Sequence, residues 1–154
     1  MVFCSNCVIE NSKINDSGGI WTLKSDFNTF QFNNISNSYI HGITLDYKSS
    51  YNLINKNIIS NNDNAGVMLE HYSNSNIISC NNIIKNKFNA YLIQSFENKW
   101  NNNYWDDWVG LNNKMFFSFL PKIILGVLIE KTRFPFFNID WHPAQEPFDI
   151  PEVV

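Results

Sequence analysis

Hydrophobic and polar positions alternate over only two to four residues at a time along the first two thirds of the chain, and the pattern returns at a nearly constant interval. An Asn and an apolar residue two positions later recur every 24 residues, at Asn28 and Phe30, Asn52 and Ile54, and Asn76 and Ile78. A period of this length is typical of repeat architectures. The spacing therefore predicts a solenoid.

Short strands fit the alternation inside each repeat better than helices do. Helical repeats need apolar residues three and four positions apart over ten or more residues, whereas here the alternation soon stops at Asn or Gly. A strand places residues two positions apart on one face. The predicted inward pairs are Trp21/Leu23, Ile43/Leu45, Val67/Leu69 and Tyr91/Ile93, with Thr22, Thr44, Met68 and Leu92 facing outward.

Two further inward strands are predicted in each repeat. One lies around Phe30/Phe32, Ile54 and Ile78, and the other around Ile35, Ile58/Ile59 and Ile83/Ile84. Three short strands joined by bends make one coil of a parallel β-helix, with rungs about 4.8 Å apart. Residues 1–98 are therefore predicted to form an all-β solenoid of about four coils, each of 22–25 residues.

The Asn residues have a structural reason in this arrangement. Asn tolerates the left-handed conformation that bends require, and stacked Asn amides can bond one another as ladders along the solenoid. An AT-rich gene would also enrich Asn and Ile, but it would not place them in phase with the apolar rungs.

Composition and net charge exclude some classes of binding partner. The chain is 44% hydrophobic and 16% aromatic, which suits a folded core, and its net charge of −3 without a basic stripe argues against nucleic acid as a partner. The apolar run at 115–129 is too short for a spanning helix, so a membrane span is not expected. Cys4, Cys7 and Cys80 are too few for a disulfide framework or a zinc site, and they are interpreted as apolar filler.

The composition changes near residue 99. All five Pro residues and four of the five Trp residues lie beyond that point, and the repeat ends. Residues 99–154 are predicted to cap the open end of the solenoid, with Trp100, Trp105, Trp108 and Trp141 as the bulky covering residues. An interaction surface is the alternative for these Trp residues. Asp140 and His142 are interpreted as a turn that bonds itself.

One position on the outer face offers candidate chemistry. The residues after each inward Leu or Ile are Lys24, Asp46, Glu70 and Gln94, so Asp46 and Glu70 are expected about 5 Å apart on adjacent rungs. Such a pair can act as the acid and the nucleophile of a glycosidase, or hold a hard cation such as Ca²⁺. His71 and Tyr72 adjoin Glu70 and complete the candidate ligand-binding set. The alternative is a solvated ladder in which Lys24 pairs with Asp46 and Gln94 bonds Glu70; no cofactor is expected in that case.

The repeat "N-x-I-x-x-N … G-I-x-L" resembles the right-handed parallel β-helix repeats of NosD-type proteins, also called carbohydrate-binding and sugar-hydrolase (CASH) domains, over residues 5–105. The tail resembles the ending of archaeal surface members. The resemblance implies a right-handed coil and an extracellular or cell-surface location, although this chain shows no signal peptide. It is specific for fold more than for activity, since these repeats serve lyases, hydrolases, epimerases, adhesins and copper-linked proteins. The His and Met residues fall in different phases of the repeat, which does not favour copper.

The expected function is a non-catalytic surface or secreted module that is structural or binds glycans or proteins. Two alternatives stay open, a fragment of a carbohydrate-active enzyme (lyase, hydrolase or epimerase) and a NosD-like copper-handling accessory protein. The expected partner is a polysaccharide or a surface protein. The abrupt start inside the repeat is interpreted as truncation of a longer β-helix.

Overall fold

The computed structural model describes residues 1–110, 120–129, 133–151 and 153, and these residues contain sixteen strands and no helix. The strands are β1 (Val8–Glu10), β2 (Lys13–Asn15), β3 (Ile20–Leu23), β4 (Thr29–Gln31), β5 (Asn34–Ser36), β6 (Ile43–Asp46), β7 (Leu53–Asn55), β8 (Ile58–Ser60), β9 (Ala65–Leu69), β10 (Ile77–Ser79), β11 (Asn82–Ile84), β12 (Phe88–Ile93), β13 (Lys99–Asn101), β14 (Tyr104–Trp105), β15 (Lys122–Ile129) and β16 (Arg133–Asp140).

The first fourteen strands stack in three parallel columns. One column is β1-β4-β7-β10-β13, the second is β2-β5-β8-β11-β14, and the third is β3-β6-β9-β12. Each of four coils contributes one strand to each column, and β13 and β14 begin a fifth, which confirms the predicted all-β solenoid of about four coils. The stack continues through β14, beyond residue 98, where the last coil was expected to end.

Inward side chains form continuous apolar stacks along each column. Phe30, Ile54 and Ile78 pair in register with Trp100 on the last rung, and Ile35, Ile59 and Ile83 pair with Trp105. All of these side chains are buried. The two Trp rings lie 5.7 Å apart at their centroids and fill the cross-section at the end of the stack.

The third column corrects two predicted inward pairs. Its inward rungs are Ile20/Thr22, Ile43/Leu45, Val67/Leu69 and Ala90/Leu92, because Thr22 pairs with Leu45 and Leu92 pairs with Leu69. All of these residues are buried except Ala90, which is half-buried. Trp21, Leu23, Tyr91 and Ile93 therefore face outward, and the middle coils alone have the predicted orientation. A shift of one residue exchanges the two faces of a strand.

The shift arises in the turn that follows the third column. In the middle coils this turn contains two left-handed residues, Tyr47 and Lys48 in one coil and His71 and Tyr72 in the next. In the outer coils it contains one, Lys24 or Gln94. The turn in each middle coil is therefore one residue longer than the turn in each outer coil. A constant period counted from the apolar residues of the middle coils then selects residues on the outward face of the outer strands.

The predicted Asn ladders are present. The backbone N–H and the Nδ2 of Asn33, Asn57 and Asn81 each donate to the Oδ1 of the Asn one coil further on, ending at Asn103. A second ladder runs through Asn28, Asn52, Asn76 and Asn98. These side chains are buried and satisfy backbone groups at the bends.

The ladder Asn residues are not the left-handed ones. Positive φ values occur instead at the residue before each, namely Phe27, Tyr51 and Ser75 in one ladder and Phe32, Lys56 and Cys80 in the other. The N–H of each left-handed residue donates to a carbonyl of the next coil, for example Tyr51 N to Asn74 O at 3.3 Å. The stack thus holds residue types that would rarely adopt this conformation alone.

The C-terminal strands return across the end of the solenoid. β15 pairs with β12, β16 pairs with β13, and the two pair with each other as an antiparallel hairpin. Trp108 is also buried at this end, whereas the Trp141 ring, expected in the cap, is 63% exposed. Residues 115–119 of the apolar run lie outside the described residues, and the rest of it belongs mainly to β15, where Ile124 is buried.

Asp140 joins this hairpin to the last coil. Its carboxyl oxygens accept hydrogen bonds from the backbone of Asn102, Asn103 and His142 and from the side chains of Asn103 and Trp105, at 3.0–3.2 Å. The side chain is fully buried and occupies the place of the next Asn in the ladder. The interpretation of 140–142 as a turn that bonds itself is confirmed through His142 N, but Asp140 does much more.

Two further sequence interpretations can be compared with the structure. Cys4 and Cys7 form a disulfide, with their Cα atoms 6.1 Å apart, which corrects the interpretation as apolar filler; Cys80 is free and half-buried. The first bend places the two Cα atoms within the usual disulfide range.

Among the described residues there is no helix with the length and apolar character needed to cross a membrane.

Candidate functional site

The longer turns of the middle coils build a cluster on the outside of the third column. Asp46 is the last residue of β6, and Glu70 and His71 directly follow β9, one rung further on. One ligand atom from each of the three side chains lies within 4.8 Å of the other two. The stack therefore brings together three of the four predicted ligand-binding residues, and the fourth, Tyr72, lies beside them in sequence.

Asp46 is the anchored member of the cluster. Its side chain is 5% exposed. Oδ2 accepts a hydrogen bond from Trp21 Nε1 at 3.2 Å, and Oδ1 accepts one from Tyr47 N at 2.7 Å. His71 Nδ1 lies 2.7 Å from the same Oδ1. These partners come from three consecutive coils and hold the carboxyl group in one orientation.

Glu70 lies in a different environment. Its side chain is 19% exposed, and its carboxyl group accepts no hydrogen bond within the described part of the chain. The Nδ1 atom of the His71 imidazole lies 3.6 Å from Glu70 Oε2. Burial raises the pKa of Glu70, and the neighbouring Asp46 carboxylate raises it further, while His71 partly opposes both effects.

His71 connects the two carboxyl groups and remains accessible. Its short contact to Asp46 favours the tautomer with the proton on Nδ1, which leaves Nε2 free to accept a proton. Its side chain is 39% exposed, and its ring lies 4.9 Å from that of Tyr47. The left-handed backbone at His71 turns the imidazole back over Asp46 of the preceding coil.

The structure differs from the solvated ladder considered above in the contacts of Lys24. Within the described residues Lys24 makes no ion pair with Asp46, and the Lys24 backbone N–H instead donates to the Asp46 carbonyl at 3.3 Å. Gln94 Nε2 lies 3.5 Å from the hydroxyl of Tyr72. Tyr72 is exposed at the edge of the cluster and does not belong to its hydrogen-bonded centre.

A groove of about 550 Å³ opens beside Glu70 on the outer face of β9 and β12. Its lining includes His41, Met68, Glu70, Phe88, Tyr91 and Ile93. His41 Nδ1 accepts a hydrogen bond from Ala65 N at 3.1 Å, and burial lowers the pKa of this imidazole, so it is neutral at pH 7. The volume of the groove lies within the range of small-ligand sites.

The cluster is poorly suited to the Ca²⁺ ion considered from the sequence. Ca²⁺ takes six to eight oxygen ligands, whereas this cluster offers two carboxyl groups and an imidazole nitrogen.

His41 and Met68 share the groove although they occupy different phases of the repeat. The arrangement is a polar cluster beside an aromatic and apolar groove.

Comparison with known proteins identifies the family. The family model described as "Right handed beta helix region" matches residues 1–109. The chain belongs to the right-handed β-helix family. The match covers all three columns through β14 and supports the right-handed coil expected from the resemblance. No curated protein and no solved structure matches the chain.

Sequence reasoning within this β-helix missed several contributors to the site. Trp21 and Tyr91 were expected to face the core, but both face outward, and Trp21 bonds Asp46. Tyr47, which contacts His71, was not singled out. The available signal was the extra residue in the turns at Tyr47-Lys48 and His71-Tyr72, which shows when the Ser residues after these turns are aligned.

Proposed function

We propose that this chain is a non-catalytic carbohydrate-binding module of the right-handed β-helix type. The observation that carries the proposal is the Asp46, Glu70 and His71 cluster at the side of a groove lined by Tyr91 and Phe88. Carboxylates accept charge-assisted hydrogen bonds from hydroxyl groups, and aromatic rings offer flat apolar surface to a sugar ring. A rigid stack presents both without a conformational change.

The exposed aromatic residues support a surface that contacts an extended ligand. Tyr47 and Tyr72 flank the cluster, and Trp21 lies one coil before it. On the neighbouring bend, Phe27 and Tyr51 stack with centroids 5.2 Å apart. Exposed aromatic rings beside polar groups are typical of binding surfaces more than of inert scaffold.

A carbohydrate-active enzyme is the second candidate, and one observation favours it. Asp46 orients His71 so that Nε2 can act as a general base, while the raised pKa of Glu70 suits a general acid. The pair of roles would fit a lyase, an epimerase or a hydrolase. Turnover of a polysaccharide that is lost in both His71→Ala and Glu70→Gln would replace the binding module with this function.

The proposed location is outside the cell or at its surface, as in the NosD-type surface proteins that the repeats resemble. The Cys4–Cys7 disulfide supports this location, because disulfides persist in oxidising compartments. Fractionation of the source cells with an antibody to the chain tests the proposal. Recovery of the protein in the cytosolic fraction with free Cys4 and Cys7 would overturn it.

A glycan-array screen tests the proposed binding. We expect the purified chain to bind one class of glycan, and the Asp46→Asn/Glu70→Gln double variant, which keeps the side-chain shapes, to lose that binding. The Asp46→Ala/Glu70→Ala variant removes the groups altogether, and circular dichroism checks that both variants fold. Glu10→Ala/Asp149→Ala is the control, since both acids are exposed and line no part of the groove. No binding by the parent chain would leave a structural scaffold.

A further inference from the structure

The charged side chains at the groove limit the kinds of ligand that it can bind. Glu70 lines the groove with a carboxyl group that has no hydrogen-bond donor within the described residues. The adjacent Asp46 is already bonded to Trp21, Tyr47 and His71. Two carboxyl groups thus face one imidazole, and the cluster has an excess of negative charge whenever both are ionised.

No lysine or arginine of the described chain lines the groove, and His41 is neutral. Two lysines, Lys87 and Lys122, line a separate cleft that shares Phe88 and Tyr91 with the groove. Lys122 is paired with Asp107 at 2.7 Å, and the Lys87 ammonium group lies 5.7 Å from the Phe88 ring centroid. Lys122 is therefore engaged outside the groove, whereas Lys87 lies over Phe88, so Tyr91 is the aromatic wall of the groove that has no lysine over its ring among the described residues.

The walls of the groove suit a cation as well as a sugar. Phe88 and Tyr91 form a tilted pair with centroids 6.1 Å apart, and Met68 pairs in register with Tyr91. Aromatic faces attract ammonium groups, and an ammonium group can also donate the hydrogen bonds that Glu70 lacks. An anionic sugar would instead add a third negative charge to the cluster.

We propose that the groove selects glycans that carry a protonated amine, namely amino sugars without an N-acetyl group, and that Glu70 is the residue that recognises the amine. This inference rests on the proposed carbohydrate-binding function and specifies its ligand class. Uronate and sulfated glycans are excluded by the same charge.

A matched pair of oligosaccharides tests the inference. The β-1,4-linked hexamers of glucosamine and of N-acetylglucosamine have the same backbone and differ in the charge of the nitrogen. At about pH 6.5, below the pKa of a typical amine, isothermal titration calorimetry should show binding of the glucosamine hexamer about tenfold tighter or more. In Glu70→Gln the two affinities should agree within about twofold, while Glu10→Gln should keep the preference of the parent chain.

Each other outcome overturns the inference. Equal binding of the two hexamers, tighter binding of the acetylated hexamer, or a preference that survives in Glu70→Gln would show that Glu70 does not select an amine. Spermidine binding as tightly as the glucosamine hexamer would indicate an amine site without sugar recognition. If neither hexamer binds, the amino-sugar inference fails, and the glycan array decides separately whether the proposed carbohydrate-binding function survives.

Discussion

The carboxyl group of Glu70 has a raised pKa because of its place in the fold. The carboxyl group is mostly buried, faces Asp46 and has no hydrogen-bond donor in the described part of the chain. The folded state therefore binds a proton at Glu70 more strongly than the unfolded state does. Where the folded state binds more protons, the free energy of unfolding falls as the pH rises.

The change Glu70→Gln removes this effect while keeping the side-chain shape. We expect the variant to melt at a higher temperature than the parent chain at pH 7, because the ionised carboxylate is the destabilising form. The difference should shrink as the pH falls and vanish well below the ordinary pKa of 4.5, where Glu70 is protonated in both states. Differential scanning calorimetry from pH 7 down to about pH 3 measures it. A difference in melting temperature that stays constant with pH, or no difference at pH 7, would contradict the raised pKa of Glu70. Glu10→Gln is the control at an exposed position.

Asn57 represents the ladder residues. Its Oδ1 accepts from the backbone and the side chain of Asn33, and its Nδ2 donates to Phe30 O and Asn81 Oδ1. Asn57→Ala leaves buried groups unpaired, and each costs about 1–3 kcal/mol. We expect the free energy of unfolding in urea to fall by roughly 2–4 kcal/mol. Asn101→Ala, at an exposed position, should change it by less than about 0.5 kcal/mol; equal effects of the two changes would argue against the ladder.

At the scale of the strands, the columns and the turns differ in how well the sequence predicts them. The column of Phe30, Ile54 and Ile78 was predicted correctly because each of these residues lies two positions after a ladder Asn, and this spacing selects the buried face although Leu53 and Ile77 are also apolar. The third column offers apolar residues on both faces, as at Ile20 and Trp21 or Tyr91 and Leu92, so alternation alone does not decide which one is buried. The turn length decides it, and the apolar pattern does not show that length, although an alignment of the Ser residues after the turns does.

The β15–β16 hairpin depends on Asp140 for its attachment to the last coil. Asp140→Ala removes the acceptor of five hydrogen bonds. We expect a loss of at least about 3 kcal/mol in the free energy of unfolding, since single hydrogen bonds to charged groups contribute about 1.5–3 kcal/mol. Asp140→Asn keeps one acceptor oxygen and should lose less. Urea unfolding of both variants measures the order, and an Asp140→Ala variant within about 1 kcal/mol of the parent would refute the role.

At the scale of the whole molecule, the two ends of the stack differ. The hairpin covers the last strands of two columns, whereas β1 and β2 end their sheets without a partner strand among the described residues. Such an edge presents backbone donors and acceptors that can pair with another chain. Residue 2 partly covers the edge of β3 through an isolated bridge between Val2 and Thr22.

We expect this chain to self-associate through the β1 and β2 edge. Sedimentation velocity should show a sedimentation coefficient that rises with protein concentration. Val8→Lys places a charge on the exposed side of β1 and should weaken association, because charged side chains protect edge strands. Val109→Lys is the matched control at an exposed position away from this edge. A monomer at every concentration would contradict the prediction.

The sequence by itself determined the repeat, the three strands per coil, the apolar stacks and the Asn ladders. These features follow from contacts between equivalent residues of neighbouring coils, which a regular period reveals. Only the tertiary structure decided the orientation of the outer coils, the hairpin across the end and the contact of Trp21 with the cluster of Asp46, Glu70 and His71. Those features depend on one extra residue in two turns and on pairing between strands such as β12 and β15 that share no repeat phase, so the apolar pattern alone does not specify them.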